Sequence, residues 1–193
     1  EQADHSLAVM AGLGDGDVFT TVLTTAPQRA IWLAINLATA ILAASVIAFY
    51  QDTIEKVVAL AVLMPIVASM GGIAGTQSLT VLIRAMAMGQ INDRTEIWLV
   101  RREIFVSIIN GLIWAFVIAV IAAYWFDDTT LGLIIAFAII INLITAGIAG
   151  ASLPLILDRL RIDPALAGGV VLTTITDVVG FFAFLGVATY FYN

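Results

Sequence analysis

Residues 129–157 read TTLGLIIAFAIIINLITAGIAGASLPLIL, 29 consecutive positions without a charge. A helix rises about 1.5 Å per residue, so roughly 20 apolar residues cross a hydrocarbon core of about 30 Å. The stretch is long enough for one crossing and too short for two. Outward from it lie Ile31–Tyr50 (20 residues), Val57–Ile83 (27), Ile104–Phe126 (23) and Pro164–Asn193 (30 residues, with one charge, Asp177). These Ile/Leu/Ala/Val runs lack the period of two that strands of a membrane barrel carry. The sequence predicts an all-α integral membrane protein of five transmembrane helices, spanning about 31–50, 57–83, 104–126, 129–157 and 164–192.

Composition agrees. Of 193 residues, 62% are hydrophobic and 11% charged, and the mean hydropathy is +1.08. A soluble domain carries about 25% charged residues. Water-soluble globule, nucleic-acid binder and disordered tail are excluded, and the partner implied by the surplus apolar surface is membrane lipid. Cysteine is absent, which removes disulfides, thiolate metal sites and thiol nucleophiles.

Two segments follow. Residues 1–26 form a polar stub, Glu1–Asp17 with Gly12, Gly14 and Gly16, and a short amphipathic connector in which Val18, Phe19, Val22 and Leu23 sit at helical spacing ahead of Pro27. The opening Glu1 in place of Met reads as the remnant of an upstream soluble part. Residues 27–193 form the transmembrane domain. With five spans, one side of the membrane receives Arg29, Arg84, Arg94, Arg101, Arg102, Arg159 and Arg161, and the other only Lys56. Positive residues mark the cytoplasmic side. The expectation is a multi-pass protein of the cell inner or plasma membrane, N-terminus cytoplasmic and C-terminus external. Asp52, Glu55, Asp127 and Asp128 lie on the external side, as ordinary loop ends or as a cation-concentrating mouth.

Asp177 is the one ionisable residue deep in a span, where a carboxylate costs about 2.5–3.5 kcal/mol. It is protonated and ties helices together by hydrogen bonds, or it faces water in a pore, or it holds a cation. The lack of a second buried acid favours the pore. Gly169, Thr173 and Asp177 recur at spacing four, on one helix face, while Thr174 and Thr176 read as packing residues. In the second span, Pro65 and the run Met70-Gly71-Gly72-Ile73-Ala74-Gly75 predict an interrupted helix of the kind that lines cavities. The other reading is a close-packing patch of small residues. The fainter Ala146-Gly147-Ile148-Ala149-Gly150 reads as packing.

One carboxylate is a poor site for a divalent ion. A two-fold homodimer would pair two Asp177 side chains, and a doubly charged cation would balance them. Oxygen ligands without Cys or a His cluster select Mg²⁺-like ions, held with their waters. An intramembrane enzyme is disfavoured, because the sole histidine, His5, lies in the polar stub and no second acid stands beside Asp177. The protein is expected not to be an enzyme.

The run Leu63-Met64-Pro65-Ile66-Val67-Ala68-Ser69-Met70-Gly71-Gly72-Ile73-Ala74-Gly75-Thr76-Gln77, with Arg84 and Gly89, resembles the second span of the MgtE family of Mg²⁺ channels. Leu153-Pro154-Leu155, Asp163-Pro164-Ala165-Leu166 and Thr173-Thr174-Ile175-Thr176-Asp177-Val178-Val179-Gly180 resemble that family's run into its fifth span. The resemblance implies a homodimer with its pore at the subunit interface, lined by the second and fifth helices. It implies that Asp177 contacts hydrated Mg²⁺ with its symmetry mate, that Thr173 faces the ion through its backbone, and that Ser69, Gly72, Ile73 and Gly169 line the pore. Family members often carry Asn where this chain has Ile73, and some where it has Gly169. Full-length members carry a cytoplasmic N-terminal domain and paired CBS domains that sense Mg²⁺. The expected function is divalent-cation movement, Mg²⁺ first, into the cytoplasm down its electrochemical gradient. The alternatives are a carrier exchanging a cation for Na⁺ or H⁺, and a Mn²⁺ or Co²⁺ transporter.

Overall fold

The computed structural model describes residues 22–192, and the stub through Val18 and Phe19 lies outside them. Six helices follow in order: α1 Val22–Phe49, α2 Gln51–Lys56, α3 Ala59–Ala87, α4 Asp93–Phe126, α5 Thr129–Arg159 and α6 Pro164–Tyr192. All but α2 are long and apolar enough to cross a membrane. Short turns make consecutive long helices antiparallel. Among the described residues, the arginines gather toward the end of the bundle that holds the α3–α4 and α5–α6 turns, and Lys56 lies at the other.

Several helix limits differ from the hydropathy reading. Helix α1 runs without a break from Val22 through Pro27, so the described part of the connector is continuous with the first span. Helix α4 begins eleven residues before Ile104. Asn92 caps it, accepting from the backbone N–H of Arg94 and Thr95, while the Thr95 hydroxyl accepts from Asn92 N. This capping box starts the helix before its charged turns, which a count of uncharged residues assigns to a loop. The linker after the first span forms α2, whose buried Thr53 pairs its hydroxyl with that of Thr189 at 2.8 Å.

The predicted interruption of the second span is not observed. Helix α3 is continuous through Pro65 and Gly71-Gly72. The reason is packing: a Cβ added at Gly75 would lie 2.8 Å from Leu172, and one at Gly71 would lie 2.8 Å from Asn142 Cγ. The glycines let α5 and α6 approach α3, the use small residues serve between membrane helices.

Helix α5 is the hub, packing against α3, α4 and α6, and is the most buried of the long helices, whereas α1 is almost wholly exposed. Its own small residues make the contacts. A Cβ at Gly150 would lie 2.5 Å from the Gly75 carbonyl, and one at Gly132 would lie 2.6 Å from the Ala119 carbonyl. Around this hub Leu60, Leu63, Val67, Leu131, Ile135, Ile139, Leu143, Phe184 and Leu185 form the main core.

The α4–α5 turn is two residues long. Asp127 takes a left-handed conformation (φ 52°), and Asp128 caps α5 through the N–H groups of Thr130 and Leu131. The Tyr192 hydroxyl donates to the Asp128 carboxylate, tying the end of α6 to this turn. Partial burial pushes the Asp128 carboxyl up, but the Tyr192 hydroxyl and the two N–H groups outweigh it and hold it below the ordinary 3.8.

Gly150→Leu should lower the melting temperature in detergent, consistent with about 1–3 kcal/mol of overpacking, whereas Gly169→Ala, with nothing within 4 Å of its new methyl, should leave it unchanged. A depressed folded-state pKa contributes stability at neutral pH that is lost as pH falls through it. Tyr192→Phe narrows that gap, so its melting temperature should be lower at pH 7 and fall less steeply below pH 4 than that of the unchanged chain.

Candidate cation site

Helices α3 and α6 meet along a seam that crosses the middle of α3. On α3, Leu63, Val67, Gly71, Gly75, Ser78 and Leu82 turn inward, while Ser69, Ile73, Thr76 and Thr80 form an exposed stripe on the other side. Ile73 is 61% exposed at the middle of the helix. On α6, Leu172, Thr176 and Gly180 face the core, and Gly169, Thr173 and Asp177 are half-buried at its margin. A Cβ at Gly72 would touch the Thr173 methyl at 3.9 Å. The structure therefore brings Gly72 and Thr173 together, with Ser69 and Ile73 flanking Gly72 on α3 and Asp177 one turn beyond Thr173 on α6.

Among the described residues Asp177 has no hydrogen-bond donor and no ion-pair partner. The nearby hydroxyls are turned onto their own helix. Thr173 Oγ1 donates to the carbonyls of Gly169 and Val170 at 3.1 Å, Thr174 Oγ1 to Val170 at 2.7 Å, and Thr176 Oγ1 to Leu172 at 3.2 Å. An acid that ties helices together would hold such a bond, and Asp177 holds none within this set. Gly169 looks onto open space, whereas Gly168 packs on Leu79. Among the described residues, no three His, Cys, Asp or Glu side chains gather where a metal ion could be held. The chemistry available is one carboxylate, with α6 and α3 backbone beside it.

Two polar attachments hold α3 from behind, and sequence reasoning missed both. The Asn142 amide, at the centre of α5, donates to the Val67 carbonyl at 2.8 Å. Its signal was an amide in the middle of a 29-residue apolar run. Glu103, 5% exposed on α4, accepts from Ser78 Oγ at 2.9 Å and pairs with Arg102 at 2.9 Å. Its neighbours Arg101 and Arg102 disguise it as a membrane-border charge. Beside it lies a crevice of about 210 Å³, lined in part by Gln77, Ser78, Glu103, Ser107 and Asn110.

The α3–α6 seam falls within a wider match. Residues 64–187, from the Met before Pro65 to beyond Asp177, match the family model MgtE, described as divalent cation transporter. The chain belongs to the MgtE family. The family is one of transporters rather than enzymes, and with five long apolar helices this member is a multi-pass membrane protein. It is 34% identical over 191 residues, 98% of its length, to the magnesium transporter MgtE of Bacillus subtilis. It is 28% identical over 191 residues (99%) to the protein of that name in Enterococcus faecalis, and 32% over 182 residues (91%) to that in Thermus thermophilus. The chain spans about two fifths of these relatives' lengths, 42%, 42% and 40%.

The Ser78–Glu103 attachment carries its own test. Hydrogen bonds to charged groups contribute about 1.5–3 kcal/mol, so Ser78→Ala should lower the detergent melting temperature. Ser78→Thr, which keeps a hydroxyl, should fall between the two.

Proposed function

We propose that this MgtE-family chain is one half of a dimeric pore through which a divalent cation, Mg²⁺ first, passes into the cytoplasm down its electrochemical gradient. The observation that carries the reading is Asp177, a half-buried carboxylate midway along α6, without a protein partner among the described residues, beside the α3 stripe. In a hydrocarbon layer such a group is stable facing water or a cation. A two-fold axis along this seam would set two Asp177 carboxylates against each other, and a divalent ion would neutralise the pair. A Mg²⁺ ion that keeps its waters needs few protein ligands, which suits a seam offering one carboxylate and helix backbone. Thr173 and Gly169 continue the path along α6, and Ser69, Gly72 and Ile73 along α3.

The arginine-rich end of the bundle is cytoplasmic on this reading. An inside-negative potential contributes about 2.3 kcal/mol per charge per 100 mV, doubled for a divalent ion, so no second substrate has to drive uptake. The magnesium transporters named above support Mg²⁺ as the ion. Ile73 makes the middle of the α3 stripe apolar, and Gly169 leaves open space on α6 where a larger residue would narrow it.

The test is potential-driven uptake into liposomes holding this chain, with Mg²⁺, Mn²⁺ and Ca²⁺ compared. Asp177→Ala should reduce Mg²⁺ uptake at least tenfold without changing the melting temperature by more than a few degrees. Equal uptake by both proteins would remove Asp177 from the ion path and overturn the reading.

A further inference from the structure

Asn142 is fully buried at the middle of α5, where an amide is costly to desolvate. Its Nδ2 has one partner, the Val67 carbonyl on α3, and its Oδ1 has no hydrogen-bond partner among the described residues. The side chain fits a notch made by two glycines on different helices. A Cβ at Gly71 on α3 would lie 2.8 Å from Asn142 Cγ, and a Cβ at Gly180 on α6 would lie 2.7 Å from Asn142 Nδ2. An apolar side chain could fill a buried space without desolvating an amide. A single buried polar residue that costs stability has a well-attested use, which is to fix register between helices.

The two helices it touches are those of the seam. Gly71 lies two residues before Ile73, on the opposite side of α3, and Gly180 lies one turn past Asp177 on α6. Asn142 thus reaches the back of α3, and the flank of α6 next to Asp177, at the depth where the candidate site opens. Its bond to Val67 fixes α3 along its axis, and its bulk between Gly71 and Gly180 fixes the gap between α3 and α6.

We propose that Asn142 is a positioning residue for ion discrimination: by fixing the register and spacing of α3 and α6, it sets how closely the Ile73 stripe stands to Asp177. The inference rests on the pore reading above. A shift of α3 along its axis, or a change in the gap, alters the width available to a hydrated ion. Ions that differ in size and in ease of dehydration, such as Mg²⁺ and Ca²⁺, then respond unequally.

The test uses the whole chain in liposomes, with Asn142→Leu (no donor, similar branching), Asn142→Ala (no donor, smaller) and Asn142→Ser (donor kept). The readout is the ratio of initial Mg²⁺ to Ca²⁺ uptake, which does not depend on how much protein is folded. Melting temperature in detergent is measured beside it. The ratio is expected to change at least threefold in the Leu and Ala variants and to stay closer to the starting value in the Ser variant. Ratios within 1.5-fold of the unchanged chain, with total uptake falling in step with folded protein, would make Asn142 a packing residue and overturn the proposal. Failure of all three variants to fold would overturn it equally, since the residue would then serve folding alone. Asp177→Ala runs in the same series. If uptake survives that change, the pore reading fails first and takes this inference with it, whereas loss of uptake there with unchanged ratios in the Asn142 variants defeats only the inference.

Discussion

The hydrocarbon layer has no water with which to satisfy a polar group, and this constraint organises the molecule. Each backbone N–H and C=O must find a partner within its own helix, so the chain is a set of long helices joined by short turns. Each polar side chain at mid-depth must be bonded, or must face something other than lipid. Among the described residues, Asn142 and Thr176 are satisfied at least in part by helix carbonyls, Ser78 and Glu103 satisfy each other, and Asp177 stands apart at the edge of the α3–α6 seam. Asp177, the acid without a partner among the described residues, marks the candidate site.

Lipid tails are as apolar as leucine, so burying leucine against leucine does little to hold such helices together. Close approach must do it. Helix α5 supplies it with Gly132 against the Ala119 carbonyl and Gly150 against the Gly75 carbonyl, and α3 answers with Gly71 and Gly75. The same contacts explain why the glycine run in α3 does not break the helix. Its glycines lie beneath neighbouring side chains, and the flanking residues are attached by Asn142 at Val67 and by Glu103 at Ser78. The glycine-rich segment is thus held at both ends, which gives α3 a defined face toward the seam despite Pro65 and a low intrinsic helix propensity.

Hydropathy counting found every span, yet it misjudged where α4 begins. Uncharged length is a local property, whereas the Asn92 cap and the burial of Glu103 depend on what lies three residues ahead or on another helix. Asp177, Thr173 and Gly169 were legible because a carboxylate within an apolar run is conspicuous and because spacing four defines a face. Asn142 was equally visible as a letter, but its meaning required knowing that Gly71 and Gly180, 109 positions apart in the chain, close around it.

The sequence by itself determined the five membrane-spanning helices, the gathering of arginines toward one end, the lone mid-span acid and the resemblance of two motifs to one transporter family. Those are consequences of composition and short-range spacing, which need no partner to be read. The tertiary structure alone decided that α5 is the hub, that α3 stays whole across its glycines, and that Gly72 meets Thr173 while Ile73 faces outward. Each of those depends on which helix a given face packs against. Helical periodicity says that a face exists, and only the packing of the other helices says what it touches.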